Sequence, residues 1–164
     1  MKRIFWIIAL IICISQQGAA QKPDLKFKHL TAANGLSQTH VIHLAQDYRG
    51  FMWFGTQNGL NKYDGYKTTV YKHNPNDTLS ISSNDVRYIY EDRDKNLWIG
   101  TANGLNLYNR DKDYFTVLPF PEQNLRYNAT YISAIHEDSQ GKLWIGTGGD
   151  GIQIYDPKDS SFTN

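Results

Sequence analysis

The sequence predicts an all-β protein assembled from a repeated unit, and two observations lead to this prediction. The first is a stretch of sequence that occurs three times. The second is the character of each copy, in which short apolar or aromatic runs are separated by turn residues. Outside the N-terminal segment, no window shows the 3.6-residue apolar period of an amphipathic helix.

Three stretches of the chain align with one another. They are VIHLAQDYRGFMWFGTQNGLNKYD from Val41, VRYIYEDRDKNLWIGTANGLNLYN from Val86 and ISAIHEDSQGKLWIGTGGDGIQIYD from Ile132. Their tryptophans, Trp53, Trp98 and Trp144, lie 45 and 46 residues apart, and an aspartate six residues before each keeps the same spacing. A repeat of this length indicates one supersecondary unit that is stacked several times.

Each unit is predicted to form four antiparallel strands. In the second copy the strands are expected at 86–91, 97–101, 105–108 and 114–118. Four strands in about 45 residues match a β-propeller blade, whose sheet must stack on neighbouring blades to bury its faces. Because a ring takes roughly four to eight blades, three repeats predict an incomplete ring. Phe27 to Leu30 is a candidate strand of a further blade.

The N-terminal segment is typical of an export signal. Lys2 and Arg3 precede an apolar run from Phe5 to Ile14, which is too short to span a bilayer. Small residues at Gly18 and Ala20 predict cleavage after Ala20 and a periplasmic location. The expected organisation is a signal peptide at 1–20 and a partial β-propeller domain at 21–164, with repeats at about 36–80, 81–126 and 127–164.

Composition excludes several classes of function. The only cysteine, Cys13, lies in the export signal, so the mature chain has no thiol for a disulfide, a zinc site or a nucleophile. Without Lys2 and Arg3, the 17 basic residues become 15 against 16 acidic ones, and a nearly neutral chain is a poor partner for nucleic acid. The five histidines show no metal-ligand spacing. We therefore expect no cofactor and no metal.

The pattern D-x-x-G-x-x-W-F/I-G-T-x-N-G-L-x-x-Y, which runs from Asp47 to Tyr63 and recurs in the other two copies, resembles the two-component regulator propeller repeat. The GLSQTHV stretch that begins at Gly35 resembles it too. The resemblance implies the periplasmic sensor region of a hybrid two-component histidine kinase, a family in which many members respond to products of polysaccharide breakdown. Two departures stand out. Lys95 replaces the turn glycine of the other copies, and the third copy has one extra residue between Gly148 and Gly151.

The repeated residues have both structural and functional interpretations. The tryptophans could stack on sugars, but repetition at one strand position favours packing between blades. The aspartates Asp47, Asp92 and Asp138 could be catalytic, but their place in hairpin turns favours capping of backbone amides. The glycines at 146–151 satisfy G-x-G-x-x-G, yet a strand is expected to follow them where a dinucleotide site needs a helix.

Two functions from different classes fit the sequence. The first is a ligand-sensing module that binds an oligosaccharide and is not itself an enzyme. The alternative is a propeller-type carbohydrate-active enzyme, a glycosidase or polysaccharide lyase, which would need convergent, non-repeated carboxylates. The other expected partners are the remaining blades of a longer protein or a second copy of the chain. Membrane contact is expected only through a C-terminal part beyond these residues.

Strand parity selects one face of the blades for the ligand. The loop after the second strand of each blade and the loop that enters the next blade share a face, and their residues are mostly polar and mostly not repeated. Arg49, Lys95 and Lys142 belong to the opposite face. The candidate ligand-binding residues are Gln38, His40, Asn58, Asn84, Arg87, Asn103, Asn128, Tyr131 and Asp150.

Overall fold

A computed structural model describes residues 27–118, 131–149 and 151–163 and confirms the all-β prediction. A 3₁₀ turn at Ala32–Asn34 precedes twelve strands. The first blade contains β1 (Val41–Gln46), β2 (Met52–Thr56), β3 (Gly59–Tyr63) and β4 (Thr68–Tyr71). The second contains β5 (Val86–Glu91), β6 (Leu97–Thr101), β7 (Gly104–Asn109) and β8 (Tyr114–Leu118). The third contains β9 (Ile132–Glu137), β10 (Leu143–Thr147), β11 (Ile152–Asp156) and β12 (Ser161–Thr163).

Each blade is a four-stranded antiparallel sheet in which the strands follow one another in sequence order. The first strands of neighbouring blades, β1, β5 and β9, contact one another, so they are the inner strands of an open arc. The turns that join the first to the second strand and the third to the fourth lie on one side, which we call the turn face. The loops that join the second to the third strand and enter the next blade lie on the other side, the crossover face.

The blades are held together by two apolar cores, one at each junction. The first surrounds Trp53 and contains Ile89, Ile99 and Phe115 of the second blade. The second surrounds Trp98 and contains Ile135 and other residues of the third blade. The first and second blades therefore each bury their tryptophan against the blade that follows.

Burial of the repeated tryptophan depends on a following blade. Trp53 and Trp98 have relative exposures of 0% and 2%, whereas Trp144 of the third blade is 43% exposed. At a second repeated position, Leu60 and Leu105 are fully buried and Ile152 is 61% exposed. Packing between blades, predicted for the tryptophans, is thus confirmed for the first two copies, and the described part of the chain leaves the same surface of the third blade uncovered.

A glycine in each second strand lets the next blade approach closely. A Cβ atom added at Gly55 would lie 2.9 Å from Val86, and one at Gly100 would lie 2.6 Å from Ile132. Distances this short are not tolerated between carbon atoms. Absence of a side chain at these positions therefore sets the spacing between the blades.

The predicted strands of the second blade are confirmed to within one residue. The third blade's wider hairpin is also confirmed, because the Thr147 amide bonds to the carbonyl of Gly151, and β11 follows where a nucleotide site would need a helix. Phe27 to Leu30 pair with no strand among the described residues, which do not include the further blade that this strand would complete, so the strand stays a prediction.

Some of the features predicted from the sequence lie outside the described residues. The predicted signal peptide with its cleavage site, Asn128 and Asp150 all fall there. Within the described ranges, no helix reaches the length and apolar character that a crossing of the lipid bilayer requires.

Candidate functional site

The repeated aspartates are structural residues of the turn face. The Oδ1 atom of Asp47 accepts hydrogen bonds from the amides of Arg49 and Phe51, both at 3.0 Å, and Oδ2 accepts one from the Trp53 indole at 2.9 Å. The indoles of the other two copies bond to their aspartates at 2.8 and 2.9 Å. Capping was predicted, whereas the link to the tryptophan was not.

Electrostatics keep two of these carboxylates ionised. Burial disfavours the charge on Asp47, but hydrogen bonds from Trp53 and Arg110 outweigh it and hold the pKa of that carboxyl below its ordinary value. The Trp144 indole and the Lys142 amide likewise lower the pKa of Asp138. Carboxylates that are fully engaged and ionised do not suit the general-acid role that the enzyme alternative requires.

Four of the candidate residues on the crossover face are used for hydrogen bonds to the backbone of loops on that face. Asn58 donates to the carbonyl of Ser37 at 3.1 Å, and Asn103 donates to the carbonyl of Ser82 at 3.4 Å. This pair is the same in two copies, so a role in holding the segment that enters each blade explains both asparagines. Gln38 and Asn84 accept bonds from the amides of Gln57 and His73, at 3.1 and 2.8 Å.

Arg87 and Tyr131 are the two candidates that the structure brings together. The guanidinium carbon of Arg87 lies 4.8 Å from the centroid of the Tyr131 ring, which makes a cation–π contact between the second and third blades. Nη2 of Arg87 donates to Oδ2 of Asp85 at 2.7 Å. His40 is exposed on the same face. We call Asp85, Arg87 and Tyr131 the crossover cluster.

A β-bulge determines where Arg87 points. In each inner strand one residue has no cross-strand partner: Ile42 in β1, Arg87 in β5 and Ser133 in β9. Bulges redirect a side chain and are frequent beside binding sites. Three chemically different residues at one repeated position indicate that the bulge, and not its side chain, is the structural feature.

The crossover cluster contains polar atoms without partners. Oδ1 of Asp85 and Nε of Arg87 are both shielded from solvent, and neither has a hydrogen-bond partner within the described residues. A buried polar atom that is left unpaired costs about 1–3 kcal/mol. The charges of the pair compensate, and the cluster keeps one unpaired acceptor and one unpaired donor, the two capacities that a hydroxyl group satisfies.

The turn face holds a cavity that the sequence did not predict. It has a volume of about 320 Å³ and is lined by residues of the first and second blades, among them Tyr48, Arg49, Lys95 and Arg110. The signal that could have revealed it is Lys95, which occupies a glycine position of the repeat. In the described ranges there is no cluster of three or more histidine, cysteine or acidic side chains arranged to hold a metal ion.

Four-stranded blades stacked through their faces, with their first strands innermost, define a β-propeller segment. The family model described as two component regulator propeller matches residues 35–58, 80–103 and 126–149, which places its repeats on all three blades. The chain belongs to this family of propeller repeats. The sequence-based recognition is therefore confirmed.

Similar proteins agree with this assignment. Histidine kinase P4 of Formosa agariphila is 48% identical over 63 residues, which cover 38% of this chain and 5% of that protein. The extracellular domain of a hybrid two-component system from B. thetaiotaomicron is 32% identical, with a TM-score of 0.74, and the match covers 84% of this chain and 20% of that one. The chain thus spans a small part of these relatives.

A distant likeness bears on the enzyme alternative. Virginiamycin B lyase from Staphylococcus aureus superimposes with a TM-score of 0.58 over 79% of this chain and 42% of its own, at 17% identity. At that level the likeness shows the propeller fold alone.

Proposed function

We propose that the chain is the ligand-binding part of a periplasmic sensor that reports an oligosaccharide to a histidine kinase. Its repeats and its similarity to extracellular domains of two-component systems support the sensor role and a location outside the cytoplasm. The predicted export signal supports the periplasm in particular. The kinase and the membrane crossing would belong to parts of a longer protein.

The crossover cluster is the observation that carries the proposed ligand. Neutral sugars present hydroxyl groups that donate and accept together, which matches the free donor of Arg87 beside the free acceptor of Asp85. The cluster lies at the junction of two blades, so a bound ligand would contact both. Binding there would favour one relative arrangement of the blades, which is the kind of change that a sensor transmits.

Replacing Arg87 by methionine is expected to weaken oligosaccharide binding about 10- to 100-fold, because a hydrogen bond to a charged group contributes about 1.5–3 kcal/mol. The measurement is isothermal titration calorimetry of the purified protein with cellohexaose, maltohexaose and laminarihexaose. Lys142→Met on the turn face is the matched control. Tyr131→Ala and His40→Ala extend the test over the same face.

Circular dichroism of each variant separates loss of binding from loss of fold. If Asp85→Asn, which keeps the shape of the side chain, also weakens binding, the cluster is the site. Equal loss in Lys142→Met and Arg87→Met, or no binding of any of the three sugars to the unaltered protein, would contradict the proposal.

We further propose that the uncovered surface of the third blade binds another blade, either of a longer protein or of a second copy. An apolar surface that includes Trp144 and Ile152 favours association in water. The isolated chain is therefore expected either to self-associate or to have a low midpoint of thermal unfolding. A cooperative thermal transition of a dilute monomer, verified by sedimentation, would disprove this expectation.

Ile152→Glu is expected to shift the chain toward monomer in sedimentation velocity, because a charge on this surface cannot be buried without a partner. Tyr66, which is 96% exposed on the turn face, provides the control. Tyr66→Glu adds the same charge elsewhere and should leave the association unchanged. Equal dissociation in both variants would exclude this surface as the contact.

A further inference from the structure

Lys95 adopts a backbone conformation that the other two copies reserve for glycine. The φ angles at this turn position are 87° for Gly50, 70° for Lys95 and 86° for Gly141. All three amides donate to the carbonyl of the preceding turn aspartate, at 2.8–3.2 Å, so the turn itself is the same. A lysine in the left-handed region is strained in a turn that glycine forms freely.

Strain of this kind is typical of functional sites. The Lys95 side chain is exposed and its ammonium lies 6.0 Å from the centroid of the Tyr48 ring. Within the described residues it forms no salt bridge. The turn itself therefore does not require a lysine. The lysine places a positive charge at the edge of the turn-face cavity.

The other cations of the cavity differ in availability. Arg110 donates to Asp47 and to Glu91 at 2.6 Å each, so two carboxylates already neutralise it. Arg49 donates to the Tyr48 hydroxyl at 2.9 Å and lies 3.7 Å from Asp111, and its side chain is 42% exposed. Lys95 and, in part, Arg49 remain free to meet an anion from outside.

The rest of the cavity suits a sugar. Tyr48 is half exposed, with Arg110 and Arg49 at 5.0 and 5.5 Å from its ring centroid, and the exposed part of its ring is of the kind that covers the apolar side of a pyranose. Asp94 and Asp111 at the rim add carboxylate oxygens that accept hydroxyl groups. The volume of about 320 Å³ lies at the lower end of the roughly 300–1,000 Å³ of small-molecule sites.

From these features we infer a second binding site, on the turn face, for a sugar residue that carries a single carboxylate or sulfate group. Lys95 and Arg49 hold the acid group, and Tyr48 holds the ring. The site lies on the opposite face from the crossover cluster and shares no residue with it. This inference rests on the proposed oligosaccharide sensing and adds that the ligand contains an acidic unit.

Three disaccharide probes test the inference by titration calorimetry: digalacturonate, monosulfated lactose and neutral lactose. We expect the purified protein to bind one or both acidic probes at least tenfold more tightly than lactose, and more weakly as salt is raised. The two acidic probes distinguish a carboxylate site from a sulfate site. No preference over lactose would overturn the inference.

Lys95→Gly and Lys95→Gln separate binding from folding. Both are expected to weaken acidic-probe binding about tenfold, whereas only Lys95→Gly should also raise the midpoint of thermal unfolding, because it relieves the strained turn. Lys112→Gln removes an exposed charge from the neighbouring turn of the same blade and should change neither quantity. Unchanged affinity in both Lys95 variants, or equal loss in Lys112→Gln, would overturn the inference.

The Arg87 variant keeps this result distinct from the function proposed above. Arg87→Met should leave the affinity for the acidic probes unchanged, because the two faces share no contacts. Loss of acidic-probe binding in Arg87→Met together with unchanged binding in the Lys95 variants would assign the acid group to the crossover face and overturn the second site.

Discussion

Trp98→Ala is expected to lower the free energy of unfolding by about 3–5 kcal/mol, the loss typical of a large aromatic side chain removed from a core. Trp98 is 2% exposed and packs edge to face against Tyr155 of the third blade, with ring centroids 5.7 Å apart. Its removal leaves a cavity between two blades and takes away one of the two hydrogen bonds that Oδ2 of Asp92 accepts, the other coming from Asn96. Urea unfolding of the unaltered protein and the variant at one fixed protein concentration compares them in the same state of association and gives the loss.

The chain contains its own control for this experiment. Trp144 occupies the same position of the repeat and makes the same bond to its aspartate, but it is 43% exposed. Trp144→Ala should therefore cost much less, about 1 kcal/mol, since exposed positions lose little on truncation. The difference between the two variants measures packing between blades alone. Equal losses would show that the hydrogen bond, and not the packing, accounts for the effect.

The second large effect is expected at Arg110. Its guanidinium joins Asp47 of the first blade to Glu91 of the second, and its side chain is 10% exposed. Arg110→Met keeps the apolar stem but leaves two carboxylates without their cation in a nearly dry site. Removing one partner of a buried ion pair costs about 3–5 kcal/mol. Arg49→Met, which removes a hydrogen bond to the Tyr48 hydroxyl and a contact with Asp111, both accessible to solvent, should cost much less.

The loss at Arg110 should depend on pH in a definite direction. The pKa of Asp47 is lowered in the folded state, so its charge stabilises the fold above the unfolded-state pKa of about 3.9 and this contribution disappears as the pH falls through the folded value. The penalty of Arg110→Met is therefore full at neutral pH and shrinks below about pH 4. A penalty that grows on acidification would contradict the ion-pair explanation.

Most of the architecture could be predicted from the sequence because the same pattern of apolar strands and turn residues occurs in all three repeats. Strand ends in the second blade were predicted to within one residue, since the turn residues Asp92 to Asn96 and Ala102 to Gly104 interrupt each apolar run. The strand at Phe27 to Leu30 was inferred from the need to complete a further blade, and that blade is not among the described residues. A strand needs a partner for its backbone groups, and the described residues provide none.

The candidate sites were less accessible to sequence reasoning. The mutual contact of Arg87 and Tyr131 depends on a bulge, and bulges leave no mark in an apolar pattern. Arg110 reaches a carboxylate 63 positions away in the chain, and no local pattern shows such a contact. Asn58 and Asn103 were selected as ligand residues because they are polar and lie in loops, yet their amides serve the fold. Among the residues of these sites, only Lys95 could be noticed in the sequence, because it replaces the turn glycine of the other two copies.

The close contact between neighbouring blades has a directional consequence. Each repeat carries both halves of the contact: a valine or isoleucine that covers the glycine of the blade before it, and a glycine that the next blade covers. Duplication of a single unit therefore produces a neighbour that already fits, which explains how such arrays lengthen without coordinated mutations. The two halves that the described blades leave unmatched, Val41 at one end and Gly146 at the other, are complementary. Copies joined through them would all point the same way, as in a head-to-tail ring or fibre.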